Sequence, residues 1–269
     1  MQGYDIMKNN KSITGILFTA GSYVITRIPN CCMMKIWSLF ALIKISGKRR
    51  NENQAVNKKV LEAASAEKAG FFSADHFIEN QSEWEGVRLG VSTMDYSGCE
   101  IMAVYNALLD LGNEMTAQSM AELISEFERK GAALSGKWGC APGSIYKYFV
   151  RRGYKVIMTT CSDPDTINAI GENSDSVIIT AYNDRNDIRK MIHTISITKD
   201  DLGSFTLHNA YKRTNGRYAA YSGDSPIKSL WDVIGVMSQG QAAPICVIGI
   251  RASNAELSLL TLDNGSGTC

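Results

Sequence analysis

The hydrophobic period of the chain changes near Tyr154, and that change restricts it to an α+β organisation. Before Tyr154, apolar residues recur at helical spacing. Met120, Leu123, Ile124 and Phe127 follow Thr116 and precede Gly131. Steps of three and four put them on one helix stripe, with Thr116 suited to the start and Gly131 to the stop. A further helix is expected from Pro142 to about Arg152, through Ile145, Tyr148 and Phe149, with Gly153 ending it. After Tyr154, residues 155–160, 176–182, 190–198, 204–211 and 245–250 are rich in β-branched side chains and read as strands. Short helices are expected from Asp163-Pro164 and from Ser225-Pro226. Helices first and strands later imply N-terminal helices packed on an antiparallel sheet.

Composition excludes several classes of function. The chain has 269 residues, 45% of them hydrophobic, enough for one large globular domain. A net charge of +1 gives no case for nucleic-acid binding. Seven scattered cysteines are an odd count without paired spacing, which favours a reducing, cytoplasmic setting over a disulfide scaffold. There is no CxxC or HExxH spacing, and Asn264 to Thr268 is a Gly/Ser tail with no following helix, so neither a metal nor a phosphate-bearing cofactor is expected. The vicinal Cys31-Cys32 reads as a hydrophobic pair.

The first 50 residues carry two apolar stretches, 13–25 and 36–43. Neither reaches the roughly 20 residues of a spanning helix. The second ends in Lys44, Lys48, Arg49 and Arg50 and could lie on a membrane surface or dock on the domain, and Met33 or Met34 could be the true start. Polar residues 51–69 read as a helical linker. The expected organisation is therefore an N-terminal segment and linker at 1–69, a domain at 70–252, and a tail at 253–269.

The chemistry-bearing residues begin at Cys99. Ser97-Gly98-Cys99-Glu100 matches a capping box, and an apolar helix follows to about Gly112. A thiol in a first helical turn feels unpaired N–H groups and the positive dipole end, which lowers its pKa. The base can be argued from register. Strand 190–198 puts Met191, His193, Ile195 and Ile197 on one face, and the return strand puts Phe205, Leu207, Asn209 and Tyr211 on one face. A three-residue loop of Asp200, Asp201 and Leu202 would pair Lys199 with Gly203 and His193 with Asn209. Cys99 would then be the nucleophile, His193 the base and Asn209 the orienter of the imidazole.

The order Cys, His, Asn resembles papain-like cysteine peptidases. The Ser-Gly-Cys-Glu helix start and the His strand with its nearby Asn look most like the leader-processing peptidases of bacteriocin exporters and their free-standing relatives. The resemblance covers roughly residues 90–249. It implies a papain-like fold, a peptide or amide substrate and a thioester intermediate. Two departures stand out. The family's Gln about six residues before the Cys is replaced by Thr93, leaving Ser92, Thr93 or Tyr96 as candidate oxyanion or cleft donors beside the Cys99 N–H, while Gln81 lies eighteen positions upstream. The exporter-associated enzymes tend to carry Asp where this chain has Asn209.

Rival assignments follow from the same residue types. Cys140, before Pro142, also sits near a helix start but lacks a neighbouring His, and Trp138 could wall a cleft. His208 points to the sheet face opposite Asn209 and reads as a solvent or second-layer residue, and His76 as a helix-cap neighbour. Two other functions fit the same pattern. One is an acyltransferase or transamidase. The other is a catalytically silent binding or immunity protein, suggested by the missing upstream Gln.

Overall fold

The computed structural model describes residues 25, 27–67, 72–73, 76–185, 192–210, 218–219, 221–222, 225–226, 229–238 and 243–252. Helices α1 (Asn30–Phe40) and α2 (Gly47–Glu67) come first. Met33, Met34, Trp37 and Ala41 are buried in the main core, so this segment is part of the domain rather than an appendage. The expected linker at 51–69 falls largely within α2, which has no apolar stripe. Buried carboxamides hold it instead. Asn53 Nδ2 donates to Gly90 O at 2.8 Å and to Glu128 Oε1 at 2.7 Å. Asn57 brackets Arg88, donating to its carbonyl at 2.9 Å and accepting its N–H at 2.7 Å. Asn reads as solvated in a sequence, yet here it binds the hairpin of β1 (Arg88–Leu89) and β2 (Ser92–Thr93). The apolar stretch at 13–25 and the tail at 253–269 lie, but for Ile25, outside the described residues.

A one-turn helix α3 (Met94–Ser97) leads into α4 (Cys99–Asp110), then α5 (Ala117–Lys130) and α6 (Pro142–Arg151). α4 is buried from Cys99 to Leu109, as an apolar helix at the centre of a core must be. α5 starts at a true capping box. Thr116 Oγ1 accepts from Ser119 N at 3.1 Å, and Ser119 Oγ accepts from Thr116 N at 2.7 Å. Gly131 ends it, as the sequence implies.

The strands are β3 (Lys155–Thr159), β4 (Ser176–Tyr182), β5 (Ile192–Lys199), β6 (Phe205–His208), β7 (Tyr218–Ala219), β8 (Tyr221–Ser222), β9 (Ser225–Pro226) and β10 (Pro244–Arg251). Six form an antiparallel sheet in the order β3-β10-β4-β5-β6-β7. Helices cover both faces. Ile178, Cys246, Ile248 and Ile250 pack with α1, α4, α5 and α6. Val177, Ile179, Ile195, Ile197 and Val247 pack with α7 (Pro164–Glu172) and α8 (Leu230–Met237). α7 approaches β10 closely because Gly249 has no side chain. A Cβ there would lie 2.1 Å from Ser174 Oγ and 2.7 Å from Ile170 Cγ2. The helix expected from Ser225 is displaced. Ser225 and Pro226 pair with β8, and α8 is capped by Ser229, whose Oγ accepts from Asp232 N at 3.4 Å. The architecture is α+β with one antiparallel sheet.

Candidate active site

Cys99 opens α4, but the expected capping box does not form. Ser97 is already helical in α3, and its hydroxyl donates to Thr93 O at 3.2 Å. Gly98 takes the cap position, where a Cβ would lie within 2.8 Å of three Met94 atoms. Glu100 is thereby released from capping and turns inward. Cys99 Sγ–H donates to Glu100 Oε2 at 3.4 Å, and the backbone of Cys140 bonds the same carboxyl group. Gly139, at φ 62°, packs so tightly that a Cβ would lie 2.5 Å from Glu100 Oε2. Burial pushes the Glu100 carboxyl up from 4.5 to about 7.

The same burial reverses the expected activation of the thiol. Desolvation pushes Cys99 well above its ordinary value, and the Glu100 charge adds to this. Backbone hydrogen bonds at Thr194 and Glu100 pull the other way without winning. A helix terminus is worth about 1 kcal/mol, which is less than the cost of placing an uncompensated thiolate in a dry site.

His193 and Asn209 do meet, though by a different route from the expected one. The hairpin loop runs one residue later. Lys199 pairs with Phe205 and Ser196 with His208. Asp200 closes the turn, accepting from Leu202 N at 3.0 Å and Ser204 N at 2.7 Å, and Gly203 adopts φ 79°. Asn209 leaves the ladder just past β6 with φ 60°, a left-handed conformation that Asn tolerates better than most residues. That rotation brings its backbone carbonyl, not its carboxamide, to the imidazole. His193 Nε2–H donates to Asn209 O at 2.6 Å. Burial lowers the His193 pKa from 6.5 to about 4 against the opposing pull of that bond.

The Asn209 carboxamide is committed elsewhere. Its Oδ1 accepts from Gln81 N at 3.0 Å, and its Nδ2 donates to Gln81 Oε1 at 3.4 Å and to Met102 Sδ at 3.8 Å. Gln81 Nε2 in turn donates to Asp95 O, four residues before Cys99, at 2.9 Å. Distance along the chain had set Gln81 aside. The bend that returns it is the 3₁₀ turn Gln81–Trp84, capped by Asn80, whose Oδ1 accepts from Ser82 N at 3.1 Å. The Asn-Gln-Ser pattern of an Asx turn is the signal that could have found it.

His208 is a second departure. It is buried, not solvated. Its Nδ1–H donates to Glu79 Oε1 at 2.8 Å, its Nε2 meets Thr198 Oγ1 at 3.0 Å, and its ring stacks on Phe77 at 4.2 Å. The other Glu79 oxygen accepts from Asn209 N at 3.3 Å, so Glu79 helps hold the left-handed turn beneath His193.

The structure brings Asn209 to both His193 and Gln81, and Cys99 to the backbone beside His193, but it sets the Cys99 sulfur and the His193 imidazole on opposite faces of the sheet, contrary to the expected dyad. Cys99 bonds the backbone of Thr194, the neighbour of His193, while Met102, one turn after Cys99, touches Asn209. Strand alternation puts Thr194 on the α4 face and His193 on the face shared with Ile195 and Ile197. The proposed cleft residues are not drawn in to the same degree. Ser92 and Thr93 are half-buried in the β1–β2 hairpin, and Tyr96 is 65% exposed on α3. Cys140 is buried beside Glu100 and close enough to Cys99 for their charges to interact. Trp138 packs edge-on against Phe40 of α1 at 5.2 Å. The carbonyl of His76 faces the Tyr105 hydroxyl, whose pKa burial raises. Among the described residues, no group of three or more His, Cys, Asp and Glu is placed to hold a metal ion.

No protein-family model, curated protein or solved structure matches the chain.

Proposed function

We propose that the protein is a papain-like cysteine hydrolase acting on a peptide or amide bond, with Cys99 as nucleophile and His193 as base. The observation that supports this reading is the chain of contacts from Cys99 to the Thr194 backbone beside His193, from His193 to the Asn209 carbonyl, and from the Asn209 carboxamide to Gln81. With its Nε2–H given to the Asn209 carbonyl, His193 presents Nδ1 as the basic nitrogen. The Cys99 proton, directed at Glu100 in the resting structure, must reach that imidazole as sulfur attacks the carbonyl carbon, so turnover requires His193 to swing to the α4 face. The Cys99 backbone N–H in the first turn of α4 stabilises the oxyanion. The tetrahedral intermediate collapses to a thioester as the imidazolium protonates the departing amine. Water, deprotonated by His193, then releases the acid and restores the thiol. An amine in place of water would make the same site an acyltransferase.

Incubation with a peptide library, read by mass spectrometry, tests this reading. Cleavage is expected for the native chain and not for Cys99→Ser, which is nearly isosteric and leaves thermal stability close to native. Cleavage by both proteins would overturn the assignment. Added hydroxylamine gives hydroxamates if the thioester forms. A silent binding protein is the second reading, favoured by the raised Cys99 thiol and the carboxamide committed to Gln81. It predicts an alkylation rate at Cys99 no faster than that of a free thiol, and no turnover.

A further inference from the structure

We propose that the protein docks on bilayers containing anionic phospholipid, through the end of α1, the start of α2 and the Trp138 loop. This surface lies outside the Cys99 site, although the Trp138 loop continues into Gly139 and Cys140, which pack on Glu100. Large apolar side chains are exposed there together: Leu39 at 61%, Leu42 at 70%, Ile43 at 53% and Trp138 at 56%. The patch is rigid, since two chain segments are locked to each other within it. Trp37 Nε1–H donates to Trp138 O at 3.1 Å, Ser135 N donates to Ile43 O at 2.9 Å, and Phe40 meets the Trp138 ring edge-on. Side chains held in this way protrude without a further ordering cost on insertion.

Charge decides what covers the patch. Residues 30–50 contain Lys35, Lys44, Lys48, Arg49 and Arg50, five of the 28 basic residues, and none of the 27 acidic ones. Lys137 precedes Trp138, and the first turn of α2 holds no carboxylate. The chain as a whole is near neutral at +1, so this cation excess is local. Exposed Leu, Ile and Trp carried on segments that also bear Lys35, Lys44, Lys48 and Lys137 suit the boundary between acyl chains and phosphate headgroups. Lys44 bonds Arg129 O, and Arg49 and Arg50 act on Glu128, but an apolar protein partner would leave Lys35, Lys48 and Lys137 without a counter-charge, and a nucleic acid would leave the leucines in water. No helix among the described residues is long and apolar enough to cross a membrane, so the contact is with the surface of the bilayer.

Co-sedimentation of the full chain with vesicles tests the proposal, using phosphatidylcholine alone or mixed with phosphatidylglycerol. Tryptophan emission gives a second readout, because Trp37 and Trp84 are buried and Trp231 is half-buried, leaving Trp138 as the exposed reporter. Binding to the anionic vesicles with a blue shift is expected, reversed by high salt. Trp138→Phe should lose most of the blue shift. Lys48→Glu should weaken binding by about fivefold or more. Leu39→Glu with Leu42→Glu should weaken it by at least about tenfold, and all these sites are exposed, so folding is preserved. Absence of binding, equal binding to both vesicle types, or undiminished binding by the Leu39→Glu/Leu42→Glu protein would overturn the proposal. Binding of single-stranded RNA that the leucine substitutions leave unchanged, without vesicle binding, would assign the cations to a polyanion and also overturn it.

Discussion

Replacing Glu100 by Gln should stabilise the protein, by an amount that grows as pH rises from about 4.5 to about 7 and is complete above that. The carboxyl group titrates at 4.5 in a solvated chain and at about 7 in the fold, with burial as the main cause. Between those values the native protein keeps a proton that the unfolded chain has lost. Native stability therefore falls as pH rises through this window. A rise from 4.5 to about 7 corresponds to a cost of about 3 kcal/mol, complete above the folded value. Glutamine retains an acceptor oxygen for the Cys99 thiol and the Cys140 backbone while removing the charge. Urea unfolding of both proteins should give similar stabilities near pH 5. Near pH 8.5 the variant should be more stable by about 3 kcal/mol, roughly 6 °C or more in Tm. The thiol should respond too. At an effective dielectric constant of about 20, a unit charge 3.4 Å from a thiolate costs on the order of 5 kcal/mol. Iodoacetamide should therefore alkylate Cys99 at least about tenfold faster in Glu100→Gln at high pH. Parallel stability–pH curves for the two proteins would refute the buried-carboxylate account.

His193 gives the opposite slope. Its folded value, about 4, lies below the solvated 6.5, so stability is full above 6.5 and falls by about 3 kcal/mol as pH drops to 4, and His193→Gln should flatten that limb. With three histidines in the chain, NMR titration can assign the value directly, and a value near 6.5 would contradict the burial argument. At Asn209, Ala should cost about 1 kcal/mol more than Gly in urea unfolding, because both lose the Gln81 bonds but only Ala is strained at φ 60°. Equal costs would show that the backbone relaxes. Asn53→Ala should cost roughly 3 kcal/mol, since it strands the Gly90 carbonyl and a Glu128 oxygen in the interior. A loss below about 0.5 kcal/mol would mean that α2 is not held by its carboxamides.

The period switch at Tyr154, the Thr116 and Gly131 boundaries and the strands on either side of His193 were all legible in the sequence, because each follows from local spacing. The burial of α2 was not, since Asn53 and Asn57 look like solvent-facing residues until their partners at Gly90, Arg88 and Glu128 are known. At the candidate site, the expected register of the hairpin does not form, and His193 meets Asn209 only because a single left-handed residue past the end of β6 turns its carbonyl to the imidazole. The thiol misled for a related reason. A capping signature is local, but the one-turn α3 consumed Ser97 and sent Glu100 inward, where desolvation outweighs the helix dipole. Gln81, Glu79 and His208 depend on contacts between distant segments that no spacing rule encodes.

Acyl transfer to Cys99 from a simple activated ester, followed by peptide-resolved mass spectrometry, tests the hydrolase reading most directly. It predicts a burst of acetylation by p-nitrophenyl acetate at Cys99, absent at the more deeply buried Cys140 and lost in His193→Ala. Labelling of Cys99 and Cys140 at equal rates, or at a rate unchanged by removal of the imidazole, would contradict it.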